Sequence, residues 1–145
     1  MAITQGMCTS FKIGILGADF DFGVGTTQTF KIALYTSAAT LNAATTAYTV
    51  SDEVTGSTGY SAGGQTLTIS QVPTSTGTVA FLSFSDVTWT SASITARGAL
   101  IYLANGTTNP SVAVLDFGGD KTSTSGNFTI QFPTADASSA IVRIA

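Results

Sequence analysis

Acidic residues that lie close together are the first candidates for chemistry in this chain. The tripeptide Asp-Phe-Gly at 116–118 holds magnesium in protein kinases, and a carboxylate pair such as Asp52-Glu53 could supply the acid and base of a glycosidase. A kinase also needs a glycine-rich loop and a catalytic loop that usually opens with His, whereas these 145 residues include no His. We therefore interpret 116–118 as a strand end and a turn, and the acids as solvated turn residues.

No nucleophile or set of metal ligands is visible in the sequence. Cys8 is the single cysteine, so no disulfide can form within the chain, and without His its thiol and the many hydroxyls lack a base. The loop GADFDFGVGTT, residues 17–27, offers Asp19 and Asp21 but lacks the third acid and the distal Glu of a calcium loop. It also lacks the Gly-Lys-Ser/Thr of a phosphate loop. The sequence thus predicts no catalytic residue, no metal, no cofactor and no enzymatic activity.

The composition is that of a β-rich protein with an unusually neutral surface. Charged residues make up 9% of the chain, against roughly 25% in ordinary globular domains. The polar surface is built instead from hydroxyls, because the chain has 26 Thr and 16 Ser. Since few charges protect its strand edges, we expect a homodimer or a higher oligomer. The alternative is a well-closed monomer kept soluble by hydroxyl groups.

The few charges that are present argue against two kinds of partner. The net charge is −3, and the five cations are scattered along the chain: Lys12, Lys31, Arg97, Lys121 and Arg143. Nucleic-acid binding needs clustered Lys and Arg, so we expect no nucleic-acid partner. No basic segment precedes an apolar run near the N-terminus, and no stretch approaches the ~20 apolar residues of a membrane span. We therefore expect neither a secretory signal nor a membrane partner.

Apolar alternation and turn signals predict an all-β fold. Residues 1–29 are expected to form an N-terminal segment, an arm or a short helix plus loop, with the helix at 9–17. Residues 30–145 are expected to form a single β-sandwich domain of the jelly-roll kind, because the apolar runs are short and separated by Ser, Thr, Gly and Pro. About eight short antiparallel strands are expected, at 30–35, 66–70, 78–84, 87–89, 94–104, 111–117, 127–132 and 140–144.

Four residues are candidates for a structural or interface role: Arg97, Trp89, Asp116 and Tyr60. Arg97 interrupts the apolar run ITARGALIY, where an unpaired guanidinium would be costly if it were buried. Its partner is an acid of the same chain, such as Asp86 or Asp116, or a group on a neighbouring subunit. Trp89 is a core residue or, alternatively, an interface anchor.

Most of residues 30–145 resembles one family in the wording and order of its segments. The similar blocks are FKIALYTSAATLNAATTAY, TGYSAGGQTLT, VTWTSASITARGALIY, AVLDFGGDKTSTSGNFTIQFP and the closing AIVRIA. Through them the chain resembles small virion structural proteins of tailed bacteriophages, and it is most similar to the capsid cement, or decoration, proteins of HK97-type capsids.

That resemblance implies a function as well as a fold. It implies a jelly-roll subunit that pairs as a dimer on the outer surface of the capsid and binds the major capsid protein. The role would be non-enzymatic, and the protein would be made in the host bacterial cytoplasm and located on the virion. Residues 1–29 match the family least well, so the resemblance implies no specific contact there.

Two other functions stay open from the sequence. A compact tail, neck or fibre-associated virion protein would share these features, although long fibres usually show repeats and none is present here. A carbohydrate-binding jelly roll would need aromatic platforms, for which Trp89, Tyr60 and Tyr48 are the candidates.

Overall fold

Ten strands and one helix form in residues 2–145, the part of the chain that the computed structural model describes. The all-β class and the single short N-terminal helix are confirmed, and the strands are more numerous than expected. In chain order the elements are β1 (Gly6–Met7), α1 (Thr9–Leu16), β2 (Phe30–Tyr35), β3 (Gln65–Thr66), β4 (Ile69–Thr76), β5 (Val79–Phe84), β6 (Val87–Ala92), β7 (Thr95–Leu103), β8 (Ser111–Thr122), β9 (Gly126–Ile130) and β10 (Val142–Ile144).

The strands form three antiparallel sheets, whose strand order is not readable from the sequence. The largest sheet has the order β1-β8-β7-β2-β3, a second has the order β10-β5-β4, and β6 pairs with β9 alone. Within the largest sheet, Leu100 of β7 lies opposite Ala33 of β2 on one side and Val114 of β8 on the other. These central strands are buried almost throughout, and all three sheets contribute to one hydrophobic core.

Helix α1 lies where the sequence predicts a helix, and it packs on the core. Gly17 ends the helix, and its N–H donates to the carbonyl of Ile13 at 3.1 Å. Phe11 is fully buried and meets Phe20 edge-to-face, with ring centroids 4.8 Å apart. Strand β1 pairs with β8, so the chain is held against the largest sheet immediately before the helix begins. The segment before residue 30 is thus a helix plus loop that contributes side chains to the core.

The strand expected at 66–70 is divided, and its second part is longer than expected. β4 continues from Ile69 to Thr76, through a stretch whose Ser, Thr and Pro content predicts a connector. Pro73 is accommodated because β4 is an edge strand and its register with β5 shifts between Gln71 and Thr74.

The Asp-Phe-Gly tripeptide lies within a strand, and the predicted turn after it is wrong. β8 continues to Thr122, but residues 117–120 bulge opposite Arg97 between two regular pairs of β7 and β8. Gly118 adopts a φ of 74°, a backbone conformation that favours glycine, and its N–H donates to Asp116 Oδ1 at 2.9 Å. The glycines therefore allow a bulge rather than a reversal of the chain.

Candidate functional site

The most polar part of the interior surrounds the carboxylate of Glu53, which is only 3% exposed. Its Oε1 accepts hydrogen bonds from the Tyr60 hydroxyl at 2.6 Å and from the Gly63 N–H at 2.7 Å, and its Oε2 accepts one from the Tyr48 hydroxyl at 2.6 Å. A buried carboxylate is tolerated when such donors replace its hydration. We name the group the Glu53 cluster; it consists of Glu53 and the four tyrosines of the chain, Tyr35, Tyr48, Tyr60 and Tyr102.

The Glu53 cluster fastens the long loop between β2 and β3 to the largest sheet. The Tyr102 hydroxyl on β7 donates to the carbonyl of Gly63 at 2.8 Å, and its ring stacks on Tyr48 with centroids 4.6 Å apart. Tyr35, the last residue of β2, donates its hydroxyl to the carbonyl of Thr49 at 2.6 Å. The loop is therefore tied to the sheet near its middle, at Thr49, and close to its end, at Gly63.

A glycine allows the loop to approach the sheet this closely. Gly64 has a φ of 71°, and a Cβ atom built there would lie 1.7 Å from the carbonyl oxygen of Ile32. Any other residue would collide with the backbone of β2. The pair Gly63-Gly64 thus brings the Gly63 N–H within reach of the Glu53 carboxylate.

Burial and the negative charge of Glu53 keep the tyrosines protonated. Desolvation is the largest cause, and it raises the pKa of all four hydroxyls above the ordinary value of 10.0; the Glu53 charge raises them further. For Tyr102 the pKa rises to about 12. At neutral pH these hydroxyls are hydrogen-bond donors and not bases, and they use that capacity inside the chain. The arrangement fixes a loop on a sheet.

Glu53 is the residue that sequence reasoning missed. The prediction of a solvated acid is wrong for Glu53, although Asp52 beside it is exposed. A signal was present, because Val54, Tyr48 and Tyr60 lie within a few residues of Glu53. The sequence alone could not show that these side chains converge on its carboxylate.

The candidates Tyr60 and Trp89 lie next to each other at the edge of this cluster. The Tyr60 hydroxyl also accepts the N–H of Leu34 at 2.8 Å, and its ring centroid is 5.8 Å from that of Trp89. Trp89 is 2% exposed and meets Phe128 edge-to-face at 6.1 Å. Its indole therefore packs in the core of the chain and does not present a face to solvent, as a carbohydrate platform or an interface anchor would need.

Arg97 and Asp116 lie together on the surface of the largest sheet. The Nε of Arg97 is 3.6 Å from Oδ1 of Asp116, and both side chains are partly exposed. The Nε atom itself is covered and makes no hydrogen bond in the described structure. Asp116 is one of the two acids that the sequence proposes as a partner, and the same Oδ1 accepts the N–H of Gly118. The pair thus braces the bulge of β8.

The acids of the 17–27 loop are used to shape the loop. Asp21 Oδ1 accepts the N–H of Gly23 at 2.8 Å. The amide of Gln28 accepts the Asp21 N–H at 2.7 Å and donates to the carbonyl of Asp19 at 2.9 Å. Among residues 2–145, no group of three or more Cys, Asp or Glu side chains is placed to hold a metal ion.

The surface around α1 departs most from an ordinary protein surface. Apart from Lys12, the residues of α1 beyond its first two are apolar or glycine, and Phe11 and Gly14 form its buried side. On the other side Ile13 is 67% exposed and Leu16 is 90% exposed. A helix that is apolar all round is normally covered on all sides.

A shallow groove continues this surface. It has a volume of about 350 Å³ and is lined mainly by apolar side chains of α1, the following loop and the sheet of β4, β5 and β10, including Ile15, Phe20, Phe22, Phe81 and Ile144. Leu16 and Val24, both exposed, directly follow two lining residues in the sequence. We name this surface the apolar face, defined by Ile13, Leu16, Val24 and Ile144. Large exposed apolar side chains close to an apolar groove are typical of interaction sites.

Comparisons with family models, with curated proteins and with solved structures gave no match to this chain. In the described residues, α1 is the only helix, and it is too short to cross a membrane.

Proposed function

We propose that this protein is a non-enzymatic capsid cement, or decoration, protein of a tailed bacteriophage. In this role it is made in the host bacterial cytoplasm and binds the outer surface of the major capsid protein shell. There it stabilises the shell against the pressure of the packaged genome. The sequence resemblance is the reason for proposing a phage capsid as the site of action. The structure adds an observation that supports binding to another protein.

The apolar face is the observation that carries the proposal. Leu16 and Val24 are each 90% exposed, and Ile13 and Ile144 are partly exposed. Burying Leu16 or Val24 against a partner would therefore be favourable by roughly 1.5–3 kcal/mol each, and burying the other two by less. The neutral, hydroxyl-rich surface around it can lie along another protein without burying unpaired charge. A dimer that contacts two neighbouring sites of the shell gains effective concentration at the second site, so a modest contact at each site can give firm retention.

The first experiment measures how many copies of the chain each purified particle contains, relative to the major capsid protein. A ratio near one, or a simple fraction of it, supports a cement role. A handful of copies per particle would move the protein to the tail or neck, and its absence from particles would contradict both virion roles.

A second experiment tests the apolar face directly. Particles that lack the protein are incubated with the wild-type chain or with Leu16→Glu, and bound protein is measured after sedimentation. Leu16→Glu should bind at least about tenfold more weakly, because a charge would be buried in the contact. The control is Val50→Glu, since Val50 is also an exposed apolar residue but lies on the loop between β2 and β3 and outside the apolar face. Equal binding by both variants would contradict the role of the apolar face.

A further inference from the structure

Within residues 2–145, strand β9 pairs only with β6, with Thr129 opposite Thr88 and Phe128 opposite Trp89. The other side of β9 has no strand of this part of the chain beside it. The Thr88 carbonyl accepts the side-chain amide of Gln65 at 2.9 Å, so it points away from β9. The Thr88/Thr129 pair is therefore one of the pairs that exchange no backbone hydrogen bonds, and the N–H and C=O of Thr129 point away from β6.

The backbone N–H and C=O groups two positions before and after Thr129 point away from β6 as well. Phe132 directs its N–H toward the β6 side, where Asp86 Oδ1 accepts it at 2.9 Å. Because direction alternates along a strand, Asn127, Thr129 and Gln131 all present their N–H and C=O groups outward. None of these backbone groups has a hydrogen-bond partner in residues 2–145.

The neighbouring strand in the sequence does not cover this edge. Only residues 123–125 separate β8 from β9, yet β8 pairs with β7 and β1 while β9 pairs with β6. An open cleft of about 510 Å³ separates the two strands, and its lining includes Phe117, Phe128, Ile130 and Phe132. The outward groups of β9 therefore border a cleft instead of a strand.

The edge also lacks the usual protection against pairing. Natural edge strands commonly carry Lys or other charges that prevent another strand from adding. Residues 122–135 contain no charged side chain, and the only proline among them, Pro133, lies beyond β9. Polar uncharged residues alternate here with Phe128, Ile130 and Phe132, so one side of the strand is apolar.

We propose that β9 of a second copy of this chain pairs with this edge, antiparallel and about a two-fold axis at Thr129. In that register Thr129 meets its own copy, Asn127 meets Gln131, and Phe128 meets Ile130. The three outward residues of each copy then exchange about six backbone hydrogen bonds. Aromatic and β-branched side chains lie opposite each other, which is a favourable cross-strand pair, and no like charges meet.

We favour a second copy over an unrelated strand as the partner, because in this register the polar residues of β9 lie opposite polar residues and its apolar residues lie opposite apolar residues. The two-fold arrangement also pairs the β9 edges of both copies with each other, so the contact closes as a dimer and leaves no β9 edge free to add a further copy. This pairing does not depend on the capsid role, since it concerns a different surface from the apolar face.

The test combines sedimentation with amide hydrogen exchange measured by NMR. The wild-type chain should sediment as a dimer, and the amides of Asn127, Thr129 and Gln131 should be protected in the dimer and lose protection on dilution. Thr129→Pro removes an outward N–H without touching the β6–β9 bonds, and proline is tolerated at such a position. It should weaken dimerisation by about 10- to 100-fold, through the two bonds lost at the axis.

The matched control is Thr129→Val, which keeps the branched shape and the backbone N–H and should dimerise as the wild-type chain does. A wild-type chain that stays monomeric, a dimer in which the three amides exchange freely, or a dimer unaffected by Thr129→Pro would each overturn the proposal. If Thr129→Pro fails to fold, the hydrogen exchange of the three amides in the wild-type chain is the measurement that tests the proposal. Protection that appears only in assembled particles would assign the edge to another polypeptide and would also overturn the second-copy pairing.

Discussion

Two charged contacts lie on the largest sheet, and they are built in opposite ways. The Glu53 carboxylate is buried, has no cation within salt-bridge distance among residues 2–145, and accepts three hydrogen bonds of 2.6–2.7 Å. The Arg97/Asp116 pair has two full charges but is partly exposed, spans 3.6 Å, and leaves the Nε of Arg97 without a hydrogen bond. In the first contact, hydrogen bonds replace the water that the charge loses; in the second, water still hydrates most of the two charges.

From this difference we expect burial and hydrogen bonding to decide the strength of a polar contact more than the presence of opposite charges does. Exposed ion pairs contribute about 0–1 kcal/mol because solvent screens them. A buried group whose partners depend on it is costly to remove, since each orphaned donor loses its acceptor without regaining water. We therefore expect the Glu53 cluster to stabilise the fold and the Arg97/Asp116 pair to act mainly on the local shape of β8.

The largest expected effect is that of Glu53→Ala. The substitution leaves the hydroxyls of Tyr48 and Tyr60 and the N–H of Gly63 without their acceptor. The free energy of unfolding, measured by denaturant titration, should fall by about 3–5 kcal/mol. The control is Asp52→Asn, which removes a charge from the adjacent exposed residue and tolerates its φ of 61°. A loss for Glu53→Ala no larger than that of the control would show that the cluster is not a stabilising contact.

Alkaline pH should weaken the same cluster. The pKa of Tyr102 is raised from 10.0 to about 12 in the folded state, by burial first and by the Glu53 charge second. The folded state then holds its proton more tightly than the unfolded state does, so this stabilisation is complete below pH 10.0 and is lost as the pH rises toward about 12. The free energy of unfolding should therefore decrease through that range.

Glu53→Gln provides the check on this pH dependence, since it removes the negative charge that helps to raise the tyrosine pKa values. The decrease in unfolding free energy over the same pH range should be shallower in the variant. A wild-type stability that stays flat across the range would contradict the coupling between the tyrosines and the fold.

The smallest expected effect is that of Arg97→Ala. It should lower the free energy of unfolding by about 1 kcal/mol or less, because the pair is partly exposed, and the loss should still exceed that of Lys121→Ala. Lys121 is a matched control, since it lies exposed at the far end of the same bulge and has no salt bridge in the described residues. Equal melting temperatures for the two variants would remove the idea that Arg97 braces the bulge. A loss as large as that of Glu53→Ala would overturn the comparison.

Sequence reasoning was most successful where a pattern is local. Helix α1 and strands such as β2 follow from the spacing of apolar residues and from the glycine that ends the helix. The prediction from sequence was wrong where contacts between distant parts of the chain determine the length of a strand. β8 runs past Asp116 because β7 continues beside it, and β4 passes through Pro73 because an edge strand can forgo one hydrogen bond.

The all-β class, the neutral hydroxyl-rich surface and the positions of most strands follow from the amino-acid sequence, because they depend on composition and on the two-residue period of a strand. Which polar and apolar groups find partners depends on how the chain packs in three dimensions. Glu53 is buried because its loop folds back on itself and packs against Tyr102 of β7, which places the hydrogen-bond donors of the loop on the carboxylate. Leu16 and the edge of β9 are left open because nothing in the described chain reaches them. Whether a group is satisfied depends on its surroundings in three dimensions, and no local pattern records those surroundings.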